Sequence, residues 1–323
     1  MKFDAKISAS VSKNIVLYAD CSSEYLEEMY RKTKSILNFS GVILSPDNSS
    51  ELNDELRMLP QININYINLL ENVFIIIAVQ TANKTAEAAE EFRKRNLVFD
   101  HISNYTNIID VGVLSALGYN HYVDYLNNSV LFKGEYELEA VKIHKDYSSF
   151  GNQLTENKVN LGNIYVSPRC QMQIHLYGKN STVTVGDIST HNVNILVTTN
   201  GEVKIGNNCM LSTAICLSQA DQHLIFDLDT KERINKDKNI YIGNHVWVGR
   251  EVKLLAGCHI SDNCIVGAYT ITGHSFEEAN CIIAGNPGKI IRKRIIWARD
   301  NQAFDYQTYD ECKDKMALKF LEE

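Results

Sequence analysis

The chain has 323 residues, enough for two domains of ordinary size, and its 45% hydrophobic content is that of a globular protein. A net charge of -7 argues against a dedicated nucleic-acid binder, whose electrostatic footprint is usually basic. No stretch approaches the ~20 apolar residues needed to span a bilayer, and the start, Met1 to Ser8, lacks the apolar run of a secretory leader, so a cytoplasmic protein with no integral membrane segment is expected. The eight cysteines form no CxxC pair and no zinc-like cluster, which speaks against a metal site. Cys209, Cys258 and Cys264 fall where small hydrophobes are expected.

Residues 1–150 read as an α/β domain. Ile15 to Tyr18, Val42 to Leu44, Val73 to Val79 and Leu97 to Phe99 are short apolar strands. Leu26, Met29, Tyr30, Thr33, Ile36 and Leu37 recur at helical spacing after the first strand. A second helix is expected over residues 81–95, with Thr85 as a cap. Strands alternating with helices imply a parallel sheet, Rossmann-like in kind. The pattern is similar to the N-terminal nucleotide-sugar-binding domain that precedes a parallel β-helix in some sugar N-acetyltransferases. The phosphate-binding glycines are missing, however: Ala19 to Ser23 follow the first strand where GxGxxG would stand. Glycan recognition or a packing and oligomerisation role is therefore expected ahead of nucleotide binding. Residues 145–162 read as a linker or the lead-in to the next domain.

From Asn239 to Lys289 an aliphatic or small residue stands at every sixth position, through Ile242, Val248, Leu254, Ile260, Val266 and Thr272, with glycine directly after four of them. A helix repeats every 3.6 residues and a strand every 2, so a sustained beat of six implies short strands joined by tight turns, a hexapeptide parallel β-helix. The runs at 242–249, 266–270 and 284–289 resemble those of the left-handed β-helix acyltransferases, in particular the carbohydrate O-acetyltransferases. The resemblance covers residues 155–297, and one departure is Gly288 where alanine usually follows the proline. The coil domain is expected over 151–297 and a C-terminal tail over 298–323, with a packing helix at 309–321.

Ile205, Leu211 and Leu217 keep the beat, but 37 residues separate Ile205 from Ile242, one more than six repeats. The register breaks between them, so a polar insertion is expected over Ser218 to Lys238, the kind of outward loop in which repeat proteins place function.

The resemblance implies that His223, inside this insertion, is the catalytic base, since Asp221, His223, Arg233, Asn235 and Trp247 match the family layout. The chemistry asks for such a group. A sugar hydroxyl is a poor nucleophile at neutral pH, and an imidazole, titrating near ~6.5, can take its proton as the oxygen attacks the thioester carbon of acetyl-CoA, then return it to the departing thiolate. A solvated loop histidine is the plain alternative. Asp221 would orient the ring by accepting from Nδ1, a service that a backbone carbonyl or Asp227 performs equally well.

With Val246 and Val248 inward, alternation sends His245 and Trp247 outward. An outward tryptophan needs a cover: a neighbouring subunit, or the acyl and sugar groups, as the family implies. The resemblance further places acetyl-CoA along Gly249, Gly267, Ala268 and Pro287, where small residues let the pantetheine arm approach, although turn geometry alone also calls for them. Lys289 and Arg292, in the basic run 289–294, are suited to the CoA phosphates, with a solvated basic turn as the alternative.

The family reading is thus an acetyl-CoA-dependent O-acetyltransferase acting directly on a hydroxyl of a bacterial surface polysaccharide, capsule or lipopolysaccharide, or its precursor, and assembled as a homotrimer with sites between subunits. The runner-up is an N-acetyltransferase acting on a nucleotide-linked amino sugar, and a non-catalytic coil scaffold stands third. A γ-class carbonic anhydrase is excluded, because His223, His245 and His274 lack the paired spacing of its zinc ligands.

Overall fold

The computed structural model describes residues 2–4, 14–34, 37–45, 52, 54–71, 73–79, 82–102, 108–116, 120–124, 127–133, 141–145, 154–221 and 223–299. The chain divides into two compact units, Met1–Lys158 and Val159–Glu323. The expected helix at 309–321 lies outside the described residues.

In the first unit β1 (Asn14–Asp20), β2 (Phe39–Leu44), β3 (Val73–Val79) and β4 (Val98–His101) form an all-parallel sheet in the order β2-β1-β3-β4. The run Phe74 to Val79 is buried throughout, as a parallel strand covered on both faces requires. Helix α1 (Ser23–Thr33) follows β1, and Ser22 caps it by accepting from the Tyr25 N–H. Helix α2 (Ala82–Lys94) follows β3. Thr85 is not its cap: it lies within the helix and is buried, because Thr85, Ala88, Ala89 and Phe92 form the apolar stripe at i, i+3, i+4 and i+7.

Beyond this sheet, Ile108–Asp110 pairs antiparallel with Val141–Lys145, and His121–Val123 with Ser129–Phe132. The first of these ladders reaches the opening residue of the linker expected over 145–162, of which residues 146–153 lie outside the described residues. Lys145 ends a strand, and its fully buried ammonium bonds Asp124 Oδ2 at 2.8 Å. Asp124 also accepts from the Asn128 backbone N–H at 2.9 Å and from its side-chain amide. Residues 158–161 are likewise a strand.

The second unit is a coil of three parallel sheets taken in turn. The first face contains Thr182–Val185, Glu202–Ile205, Ile240–Ile242, His259–Ile260 and Ser275–Phe276. The second contains Ile164–Val166, Ile188–Thr190, Cys209–Leu211, Trp247–Val248, Ile265–Val266 and Cys281–Gly285. The third contains Met172–Leu176, Val193–Val197, Ile215–Ser218, Lys253–Leu255 and Ile271–Thr272. Every residue of the six-residue beat, from Ile205 to Thr272, is buried. Gly288–Lys293 folds back antiparallel on Cys281–Gly285 and closes the coil.

The glycines of the beat have a geometric cause. At the corner after the first face, Asn207 Oδ1 accepts from Asp187 N at 3.0 Å, Asn244 Oδ1 from Asn207 N at 2.9 Å and Asp262 Oδ1 from Asn244 N at 2.7 Å. This ladder satisfies corner N–H groups by side chains of the next coil. It needs close stacking, and a Cβ on Gly206 would come within 2.5 Å of the Gly243 carbonyl oxygen.

Candidate active site

The insertion leaves the third face after Ser218 and rejoins the first face at Ile240. Its ends are tied where it departs, by Lys238 N to Gln219 O at 3.3 Å. Gln219 is buried, and its Oε1 accepts from Thr198 N and Oγ1 at 3.0 and 2.9 Å. Thr198 Oγ1 also lies 2.7 Å from Asp237 Oδ2, and Asp237 in turn pairs with Arg233 at 2.5 Å. The loop itself is a hairpin, with Ile234 N donating to Ile225 O and Asp227 N to Glu232 O, both at 2.9 Å. At its tip the Asp227 carboxylate accepts from the backbone N–H groups of Thr230 and Asp229, which hold its pKa below the usual carboxylate range.

His223 stands exposed on the outgoing limb. The side-chain amide of Asn235, on the returning limb, donates to the His223 carbonyl at 2.7 Å and to Asp221 Oδ2 at 3.0 Å. Asn235 Oδ1 accepts from Ile225 N at 2.8 Å. Asp221, His223, Arg233 and Asn235 are thus brought together, with the Asp221 carboxylate on the Asn235 amide. Leu224, Ile225, Phe226, Leu228 and Ile234 point their apolar side chains into solvent around them.

Trp247 lies on the second face, between Met210 and Ile265 in register, and is 37% exposed. His245 is a correction. It was expected to meet water, yet at its corner, with φ 49°, it is only 2% exposed, because a further side chain lies over its ring. Trp297, downstream of the closing hairpin, covers it. Sequence reasoning missed Trp297, whose one signal was that the chain has only two tryptophans.

Gly249, Gly267 and Ala268 lie at the corner after the second face, one strand residue beyond Trp247 and its neighbour Ile265. A Cβ on Gly249 would meet the Ala268 backbone nitrogen at 2.7 Å, so coil stacking by itself demands that glycine. Ala268 is exposed beside it. Pro287 occupies the turn of the closing hairpin, after a cis Asn286–Pro287 bond, and Lys289 and Arg292 are exposed on its second strand. Lys293 instead pairs with Glu278 at 2.6 Å. On the first face, beside the strand at which the insertion returns, a cleft of about 520 Å³ is lined by Lys204, Asn207, Tyr241, Asn244 and His259.

The coil therefore carries two groups of candidate residues. His223 and its clamp stand at the corner between the third and first faces, while Trp247 and the small-residue corner belong to the second face, which is opposite that corner in a three-sided coil. No protein-family model matches the chain. It is 38% identical over 126 residues to the polysialic acid O-acetyltransferase of Escherichia coli O1:K1 / APEC, an alignment covering 39% of this chain and 41% of that one. It is 33% identical over 199 residues to the polysialic acid O-acetyltransferase of Neisseria meningitidis, covering 60% of this chain and 83% of the relative. This chain belongs to the hexapeptide-repeat acyltransferases. A solved polysialic acid O-acetyltransferase superposes on 59% of this acyltransferase and 86% of its own chain, with TM-score 0.51 and 28% identity. The structural neighbours of this acyltransferase have the left-handed β-helix expected from its sequence.

Proposed function

We propose that this acyltransferase transfers an acetyl group from acetyl-CoA to a hydroxyl of an acidic bacterial surface polysaccharide, with His223 as general base. The carrying observation is the Asn235 clamp, which fixes the backbone of His223 while leaving its imidazole open. The acceptor oxygen forms its bond to the acetyl carbon as His223 takes the hydroxyl proton; the C–S bond then breaks and the proton passes to the CoA sulfur. General-base help of this type contributes typically ~10² to 10⁴ in rate. The relatives' names, which specify a sialic acid polymer, support the acceptor class. The cleft on the first face, with a cation, two amides and an aromatic ring at its rim, suits sugar rings bearing carboxylates.

The thioester arm is read along Gly249, Gly267 and Ala268, beside Trp247, with the phosphates toward Lys289 and Arg292. Because His223 and Trp247 lie on opposite sides of one coil, this reading requires two copies, His223 of one facing Trp247 of the next. The exposed apolar side chains of the insertion supply a contact for such a neighbour. A heterologous contact of this kind closes into a ring, here a homotrimer. The first unit is read as Rossmann-like from its β2-β1-β3-β4 order, with domains at 1–150 and 151–297 and a tail at 298–323. No helix among the described residues is long and apolar enough to cross a membrane, and the protein is read as cytoplasmic.

The test is mass-spectrometric detection of acetyl transfer from acetyl-CoA to a panel of bacterial polysaccharides and UDP-amino sugars, for the native chain and His223→Ala. Acetylated polysaccharide that disappears in the variant supports the reading. Acetylation of the amino sugar alone would replace it with N-acetyl transfer.

A further inference from the structure

The segment after the closing hairpin, 295–299, runs back across the second face of the coil. Ile295 N donates to the Asn280 carbonyl at 2.9 Å. Trp297 lies over His245, an earlier coil, and Arg299 reaches further back, donating to the carbonyls of Asn208 at 3.1 Å and Cys209 at 2.9 Å and to Ser189 Oγ at 3.0 Å. The strap is thus fastened at both ends with Trp297 between.

Trp297 is 5% exposed. Its indole stacks on the His245 ring, with centroids 4.1 Å apart and planes 6° from parallel, and its Nε1–H donates to the His245 carbonyl at 2.7 Å. His245 occupies a left-handed corner with φ 49°, where the other coils carry Asn208, Asn263 and Asn280 at φ 56°, 56° and 58°. Asparagine suits that conformation because its short side chain bonds locally. A histidine there offers what asparagine lacks, a flat ring for an indole to stack on. The His245 ring is itself fixed, with Nδ1 2.8 Å from Asn263 Oδ1.

Trp247 flanks the same indole, at 6.0 Å between centroids and an interplanar angle of 46°, within the range in which aromatic pairs attract. One side of Trp247 is therefore backed by Trp297, and the remaining 37% of its surface is open. A lone indole on an outer strand would be free to change rotamer; a backed one is not.

We propose that Trp297 is a positioning residue for acyl transfer: stacked on His245 and bonded to its carbonyl, it holds the Trp247 indole as a fixed wall against which the acyl group and acceptor pack. The proposal rests on the reading that Trp247 lines the site. Reacting groups must be held to a fraction of an ångström, and a misplacement of about 1 Å costs roughly 10²-fold, so a released indole lowers turnover more than affinity.

The experiment compares kcat, KM for acetyl-CoA and near-ultraviolet circular dichroism for the native chain, Trp247→Ala, Trp297→Ala and Trp297→Phe, with polysaccharide as acceptor. Trp297→Ala is expected to lower kcat by about 10- to 100-fold with little change in KM, and to abolish the dichroic signal of two coupled indoles. Trp297→Phe, which keeps a ring over His245, is expected to restore most of the kcat. Should the alanine variant fail to fold, Trp297→Leu against Trp297→Phe reads the same contrast. Native kcat in Trp297→Ala beside an impaired Trp247→Ala would overturn the proposal, leaving the strap as packing. Native kcat in Trp247→Ala would instead overturn the placement of Trp247 in the site.

Discussion

Asn235 holds His223 by its backbone: the side-chain amide donates to the His223 carbonyl at 2.7 Å while its own oxygen accepts from Ile225 N at 2.8 Å. With the further bond to Asp221, one side chain on the returning limb binds three points of the outgoing limb. The insertion is thereby a folded unit in which the position of His223 depends on a side chain of the opposite limb.

Asn235→Ala should therefore lower kcat by about 10- to 100-fold, since His223 loses its fixed position. The coil below is untouched, so the thermal midpoint should shift little. Asn235→Asp should fare no better, because it removes the donor to both Asp221 and His223 and sets two carboxylates side by side. Steady-state kinetics with limited proteolysis of the insertion checks this; native kcat in Asn235→Ala would show that the clamp is dispensable.

The Lys145–Asp124 pair in the first unit is wholly buried. Removing one partner strands a charge in the interior, so Asp124→Ala should destabilise the first unit by roughly 3–5 kcal/mol, whereas replacing both with apolar residues of similar volume should cost much less. Chemical denaturation of the single and double variants measures the difference. Equal losses in both would show that the pair's partners, such as Asn128, dominate.

Burial pushes the Cys209, Cys258 and Cys264 thiols up to about 12. At pH 8 their thiolate fraction is then about 10⁻⁴, and the thiolate is the reacting form, so alkylation in the native protein should be on the order of 10³-fold slower than in denaturant. Peptide mapping after timed alkylation reads each site. Rapid labelling of Cys209 or Cys264 under native conditions would mean that the coil opens locally at those turns.

The coil was legible because burial there is strictly periodic: each residue of the beat from Ile205 to Thr272 faces inward, and a one-residue slip between Ile205 and Ile242 marked the insertion. The strands and helices around Val73–Val79 were legible for the same reason, an apolar run followed by a stripe. What escaped was aperiodic. His245 was read as facing water because the strap that covers it, bearing Trp297, has no repeat to betray it. The ladder that buries Lys145 was missed because a charged residue reads as surface unless its partner, here Asp124, is known to lie against it.

The central claim is that His223 of one chain works with Trp247 of another, and mixing two inactive variants tests it most directly. His223→Ala and Trp247→Ala are each purified, confirmed to lack acetyl transfer, then denatured and refolded together in equal amounts. If the site is shared across a heterologous interface, about a quarter of the interfaces in the mixed assembly carry both native residues, and about a quarter of native activity should return. Mixed assemblies that form yet stay inactive would contradict the account, placing both residues in a single chain's site.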